Sequence, residues 1–95
     1  MATGNDAFWS NHPYAENATY WRGECFYAKG EYARAAEQFE GLMARFPYGN
    51  KTANKLLKLG LCQQRLGSQD QAQKTFADLK DRYPKSDAVR QIPHP

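Results

Sequence analysis

Apolar side chains recur every three or four residues along most of this chain, and the recurrence breaks at glycines and prolines. Over 14–29, Ala18, Trp21, Cys25, Phe26 and Ala28 keep a helical spacing. Gly30 interrupts the pattern, and over 32–46 Ala35, Ala36, Phe39, Leu42, Met43 and Phe46 resume it. Pro47-Tyr-Gly-Asn stops the chain, with Asn50 or Thr52 placed to cap the next helix. The second half follows suit: a helix over 52–66, a break at Gly67, a helix over 69–83 and a stop at Pro84. Ser86 then caps a short further helix that Pro93 cuts off after Ile92. No stretch alternates as a strand would, so the pattern predicts an all-α fold.

The two halves are copies. Laying Tyr20–Pro47 over Leu57–Pro84, an offset of 37, gives eight identities in 28 positions without a gap. They pair Gly23 with Gly60, Cys25 with Cys62, Gly30 with Gly67, Ala35 with Ala72, Phe39 with Phe76, Leu42 with Leu79, Arg45 with Arg82 and Pro47 with Pro84. A period of this length marks a stacked array of supersecondary units, an α-solenoid. The repeats are expected at about 14–47 and 51–84, with a partial helix over 86–92, all in one domain spanning 1–95. Phe8-Trp9-Ser10 aligns with Arg45-Phe46-Pro47 and reads as the tail of a preceding second helix, so the chain reads as a fragment of a longer protein. Mid-helix glycine costs about 1 kcal/mol against alanine. Two such costs, at Gly23 and Gly60, imply close helix–helix approach. Ala35 and Ala72 are expected to face the glycines, with Phe39 and Phe76 filling the space beneath.

Glycine, alanine twelve residues on, phenylalanine four later and proline eight later resembles the tetratricopeptide-repeat signature. Both copies keep it, as Gly23, Ala35, Phe39, Pro47 and Gly60, Ala72, Phe76, Pro84. The resemblance implies a helix-turn-helix array with two full repeats flanked by half-repeats. A narrower likeness rests on Pro13-Tyr-Ala-Glu-Asn-Ala-Thr-Tyr-Trp-Arg-Gly-Glu, Tyr27-Ala-Lys-Gly-Glu-Tyr, Leu56-Leu-Lys-Leu-Gly and Tyr83-Pro-Lys-Ser-Asp-Ala. These resemble the C-terminal domain of the periplasmic Tol–Pal coordinator family (YbgF/CpoB). That resemblance implies a non-catalytic module of the bacterial cell envelope, in the periplasm. Its partner would be TolA or a peptidoglycan synthase, and it would couple outer-membrane constriction to wall synthesis in cell division. The chain departs from the family pattern at Ala53-Asn54-Lys55 and in its two cysteines. A weaker likeness, on Arg45-Phe-Pro-Tyr-Gly, is to the tetratricopeptide lipoprotein of outer-membrane barrel assembly, which implies instead a structural or self-associating scaffold.

Composition narrows the chemistry. With 95 residues, 41% hydrophobic and 14% aromatic, the chain is globular. No apolar run approaches the roughly 20 residues of a membrane helix. The opening Met-Ala-Thr-Gly-Asn-Asp lacks the basic and apolar regions of a signal peptide. A net charge of +3 with mixed signs gives no nucleic-acid stripe. Lys51, Lys55 and Lys58 read as a solvated helix face. Cys25 and Cys62 sit at equivalent positions on stacked helices about 8–10 Å apart, too far for a disulfide, and read as small buried packing residues. Two unpaired thiols fit an oxidising compartment poorly, which favours their burial or the cytoplasm as the alternative location. His12 and His94 lie near the termini, and no ligand cluster forms around them. Glu16, Glu24, Glu31, Glu37 and Glu40 scatter over solvent-facing or groove positions, and no nucleophile–base pair or phosphate-binding loop is present. No enzyme and no cofactor are therefore expected.

What remains is a surface. In this kind of array the first helix of each repeat lines the groove. The register places Asn17, Tyr20, Glu24 and Tyr27 there in repeat one, and Asn54, Leu57, Leu61, Gln64 and Arg65 in repeat two. Such a groove suits an amphipathic helix or an extended peptide. For Tyr20 and Leu57 the pattern leaves two roles open, partner binding or completion of the core. The half-repeats at either end are expected to leave apolar surface at one or both ends, open to self-association.

Overall fold

The computed structural model describes residues 13–48 and 51–93, and every regular element among them is a helix. Five follow in order: α1 (Pro13–Ala28), α2 (Tyr32–Arg45), α3 (Thr52–Arg65), α4 (Gln69–Arg82) and α5 (Asp87–Arg90). Each lies within a residue or two of its expected span. The Phe8-Trp9 stub and Asn50 fall outside the described residues. Lys51, not Thr52, holds the N-cap position of α3 and makes no side-chain cap bond. Thr52 is the first helical residue, and its hydroxyl donates to the Pro47 carbonyl at 3.5 Å. Ser86 does cap α5, its Oγ accepting from the Ala88 N–H at 3.1 Å.

The tight turn of each repeat is the same hydrogen-bonded device. Gly30 has φ +79° and Gly67 φ +82°, a left-handed conformation that glycine adopts without steric cost. Glu31 N–H donates to Phe26 C=O and Gly30 N–H to Tyr27 C=O; Ser68 to Gln63 and Gly67 to Gln64 repeat the pair. This is the Schellman arrangement, which satisfies carbonyls orphaned at the helix end and reverses the chain.

Close approach within each helix pair also has one cause, though not the expected partner. A Cβ placed on Gly23 would lie 2.9 Å from the Phe39 ring, and one on Gly60 closer still to Phe76. The glycines make room for the phenylalanine rings, which are buried at 0% and 3% exposure. Ala35 and Ala72 are fully buried as well, but the void that glycine leaves is filled by the ring.

Packing runs α1 on α2, α2 on α3 and α3 on α4, with α5 against α3 and α4. One core cluster joins Tyr20, Ala35, Ala36, Phe39, Leu42, Leu59 and Cys62, so it spans repeat one and the start of repeat two. The other joins Leu56, Leu57, Ala72, Phe76 and Leu79 to Ala88 and Ile92. The C-terminal end is therefore closed: α5 seals it with Ala88 at 1% and Ile92 at 9% exposure. Where α2 presents Ala36 and Met43 toward α3, α4 carries exposed Gln73 and Lys80 at the equivalent positions. Of the ends expected to carry apolar surface, one or both, this one is covered. Large apolar exposure stands instead at Trp21 on α1, at 60%.

The lysine row is a second correction at two of its three members, Lys51 being exposed as expected. Lys55 is 0% exposed, and its Nζ donates to Glu16 Oε2 of α1. Lys58 pairs with Glu24 at 3.4 Å. These ammonium groups tie α3 to α1 and do not form a solvated face. A helical row of lysines has one pattern whether it meets water or carboxylates on a neighbouring helix, so periodicity could not separate the two.

Candidate protein-binding face

The two bridges Glu16–Lys55 and Glu24–Lys58 hold α1 and α3 side by side, and this paired surface carries the residues assigned to the groove. Asn17, Asn54 and Arg65 are exposed on it, and Glu24, Tyr27, Leu61 and Gln64 are half-buried. Tyr20 and Leu57 are 7% and 3% exposed and complete the core. Of the two roles the pattern left open, they fill the packing one. The Tyr20 ring sits edge-on to Phe39, with centroids 5.9 Å apart.

Around the residues that remain accessible, the structure assembles a cation–aromatic cluster. Lys58 Nζ lies 4.6 Å from the Tyr27 centroid, and Tyr27 meets Tyr32 edge-on at 5.3 Å. The Arg65 guanidinium stacks 5.5 Å from the Tyr32 centroid. Such contacts hold long basic side chains in place and spare a ligand part of the ordering cost. Lys58 and Tyr32 were not among the sequence-assigned site residues. Periodicity carried no signal for Lys58, because its partner Glu24 lies on another helix, 34 residues away in the chain.

Electrostatics follow from this layout. Burial, with the neighbouring Glu24 carboxylate, pushes the Tyr20 phenol well above its ordinary value, so it stays a neutral hydrogen-bond donor. Burial pushes the Cys62 thiol up to about 11, opposed by nearby Lys58 and reinforced by Glu24. Cys62 is 0% exposed, as expected, but Cys25 is exposed, which corrects the expectation of two buried thiols. The difference lies in the neighbours. Cys62 packs with Ala36 and Phe39 of α2, whereas no described helix covers the equivalent face of α1.

Among the described residues no three His, Cys, Asp or Glu side chains could share a metal ion. No described helix is long and apolar enough to cross a membrane. A helical repeat array that presents ordered amide, cationic and aromatic groups on paired helices is a protein-binding module. Residues 17–47 and 56–86 each match the tetratricopeptide repeat, about two thirds of the chain in all, and the chain belongs to that family. Tetratricopeptide domains are generally non-catalytic modules of protein–protein interaction. No curated protein matches the chain.

Proposed function

We propose that the chain docks a protein segment along the α1–α3 face and does so in the bacterial cell envelope. The observation that carries the docking reading is the Tyr27–Tyr32–Lys58–Arg65 cluster beside half-buried Leu61 and Gln64. It offers apolar area, fixed cations and hydrogen-bonding amides to a helix or extended peptide. The envelope role is supported by the likeness of 13–24, 27–32, 56–60 and 83–88 to the Tol–Pal coordinator. On that reading the chain works in the periplasm, binds TolA or a peptidoglycan synthase and serves cell division.

Titration of the chain with the periplasmic part of TolA tests both levels. Tyr27→Ala, Leu61→Ala and Arg65→Ala are expected to weaken binding about tenfold each, roughly 1.4 kcal/mol, with the helical circular-dichroism signal retained. Lys74→Ala, on the exposed side of α4, is expected to leave it unchanged. No TolA binding at all would remove the Tol–Pal reading. Equal loss with Lys74→Ala would remove the assigned face.

A further inference from the structure

Three cations stand seven residues apart along α3, at Lys51, Lys58 and Arg65, so they form one line with rungs about 10 Å apart. Each sits against an aromatic ring of the first repeat. Lys51 Nζ is 5.1 Å from the Tyr20 centroid, Lys58 Nζ 4.6 Å from that of Tyr27, and the Arg65 guanidinium 5.5 Å from that of Tyr32. Tyr20 and Tyr27 are themselves seven residues apart on α1. That helix ends at Ala28, and Tyr32 at the start of α2 supplies the third ring. The rungs differ in what they have left to give. An ammonium has three donors, and Lys58 has one carboxylate, Glu24, at 3.4 Å. Lys51 and Arg65 are exposed, and among the described residues neither has an acidic partner.

We propose that the occupant of the α1–α3 face is an acidic amphipathic helix, lying along α3 with a carboxylate every seven residues against Lys51, Lys58 and Arg65. This rests on the docking function proposed above and names the chemistry of its partner. A partner helix has the same rise per residue as α3, so carboxylates at i, i+7 and i+14 stay in step with all three cations. A β-extended segment does not. Its side chains alternate, and those on one face come about 6.7 Å apart, so a segment in step with the first cation misses the second by about 3 Å. Between the rungs, half-buried Tyr27 and Leu61 seat the apolar stripe of the partner helix. No three acidic residues of this sequence stand at i, i+7 and i+14, so a second copy of the chain cannot supply them from one helix. A nucleic acid is a poorer occupant, because each ring already has a cation against it and offers no open platform for base stacking.

The probes are three synthetic helical peptides with the same alanine–leucine stripe, titrated with the whole chain and read by fluorescence anisotropy. The first carries glutamates at i, i+7 and i+14, and the second has glutamines there. The third has its glutamates at i, i+5 and i+10, which scatters them around the helix. At low salt the first is expected to bind about tenfold more tightly than the other two. The margin should shrink at 1 M salt, where screening cuts the reach of exposed charges to about 3 Å. Arg65→Glu should lose about tenfold for the first peptide and recover part of that loss when a terminal glutamate of the peptide is replaced by lysine. Leu61→Ala is expected to weaken all three peptides. If the first and second bind equally and Leu61→Ala weakens both, the face stands and its acidic occupant is refuted. If none binds, or Leu61→Ala leaves binding unchanged, the face itself is refuted along with it. Equal binding of the first and third would reduce the ladder to unordered charge attraction and overturns the proposal. Tighter binding of a thymidine oligonucleotide than of the first peptide overturns it as well.

Discussion

Replacing the Glu16–Lys55 bridge tests how the repeats are joined. The Lys55 ammonium has no exposure and Glu16 keeps about a fifth of its side-chain surface, so the two halves of the pair are not equally costly to orphan. Glu16→Ala leaves a buried ammonium, with the Phe46 ring 5.8 Å away to stabilise it. Breaking a buried pair from one side costs about 3–5 kcal/mol, and the ring returns about 1 of that, giving a loss of about 3 kcal/mol. Lys55→Ile leaves a carboxylate that water can reach, and about 1–2 kcal/mol is expected. The chain contains its own apolar alternative, since 37 residues on, Ala53 and Ile92 occupy the two positions and both pack in the second core cluster. Glu16→Ala/Lys55→Ile copies that junction, and its stability is expected within about 1 kcal/mol of the parent, because well-packed apolar residues often match a buried pair.

Urea unfolding followed by far-UV circular dichroism measures all four proteins. The coupling expected from the cycle is about 4 kcal/mol, well outside the roughly 0.5 kcal/mol of independent sites. In a domain of this size the Glu16→Ala loss corresponds to a fall in Tm of about 12–24 °C. Two singles that each cost under about 0.5 kcal/mol and add would refute the reasoning, because the ammonium would then reach solvent. A double variant as weak as Glu16→Ala would refute the equivalence of the junctions.

Two glycine substitutions should move stability in opposite directions, read from the same unfolding curves. Gly60→Ala drives a Cβ into the Phe76 ring and is expected to cost about 1–3 kcal/mol despite better helix propensity, whereas Gly41→Ala meets nothing within 4 Å and should gain about 0.5–1 kcal/mol. Thiol titration should find Cys25 reacting at once in the native protein and Cys62 only on unfolding; equally fast reaction of both would show the core open. A raised thiol pKa means the native state holds its proton after the unfolded chain has lost it. The Cys62 contribution is therefore complete below about pH 9 and lost as the pH climbs to about 11, on the order of 2 kcal/mol. Cys62→Ala should flatten that part of the stability–pH curve, and an unchanged slope would assign it elsewhere.

The helices, their breaks and the close approach at the glycines were legible because each is set by local period, whereas the meeting of the glycines with phenylalanine rings in place of alanines was not. Gly30 and Gly67 terminate helices by backbone conformation alone, and Gly23 and Gly60 announce close approach at one shared register. What the pattern could not supply was the surroundings of each face. Cys25 and Cys62 are equivalent in sequence but opposite in exposure, because burial at that position is conferred by the neighbouring repeat. Tyr20 and Leu57 have groove register, yet they bury because the turns of the array bring α2 and α5 over them. Lys55 reads as a surface residue until Glu16, 39 residues away, is placed beside it.

That contrast between the junctions bears on how two similar units keep their order. The first-helix positions of α3 and α5 are related by the same 37-residue offset, so by register α5 is a competitor for the surface that α3 occupies on α1 and α2. The side chains oppose it. Ile92 set against Glu16 would bury a carboxylate without a cation, and Lys55 set against Ala53 and Leu57 would bury an ammonium without an anion. Either exchange carries the several kcal/mol of an orphaned buried charge, against a whole-domain stability of only about 5–15 kcal/mol. The ionic junction is thus no better a glue than the apolar one beside it. Its contribution is discrimination, since a repulsive element against the wrong partner separates states that matched apolar packing would leave nearly equal.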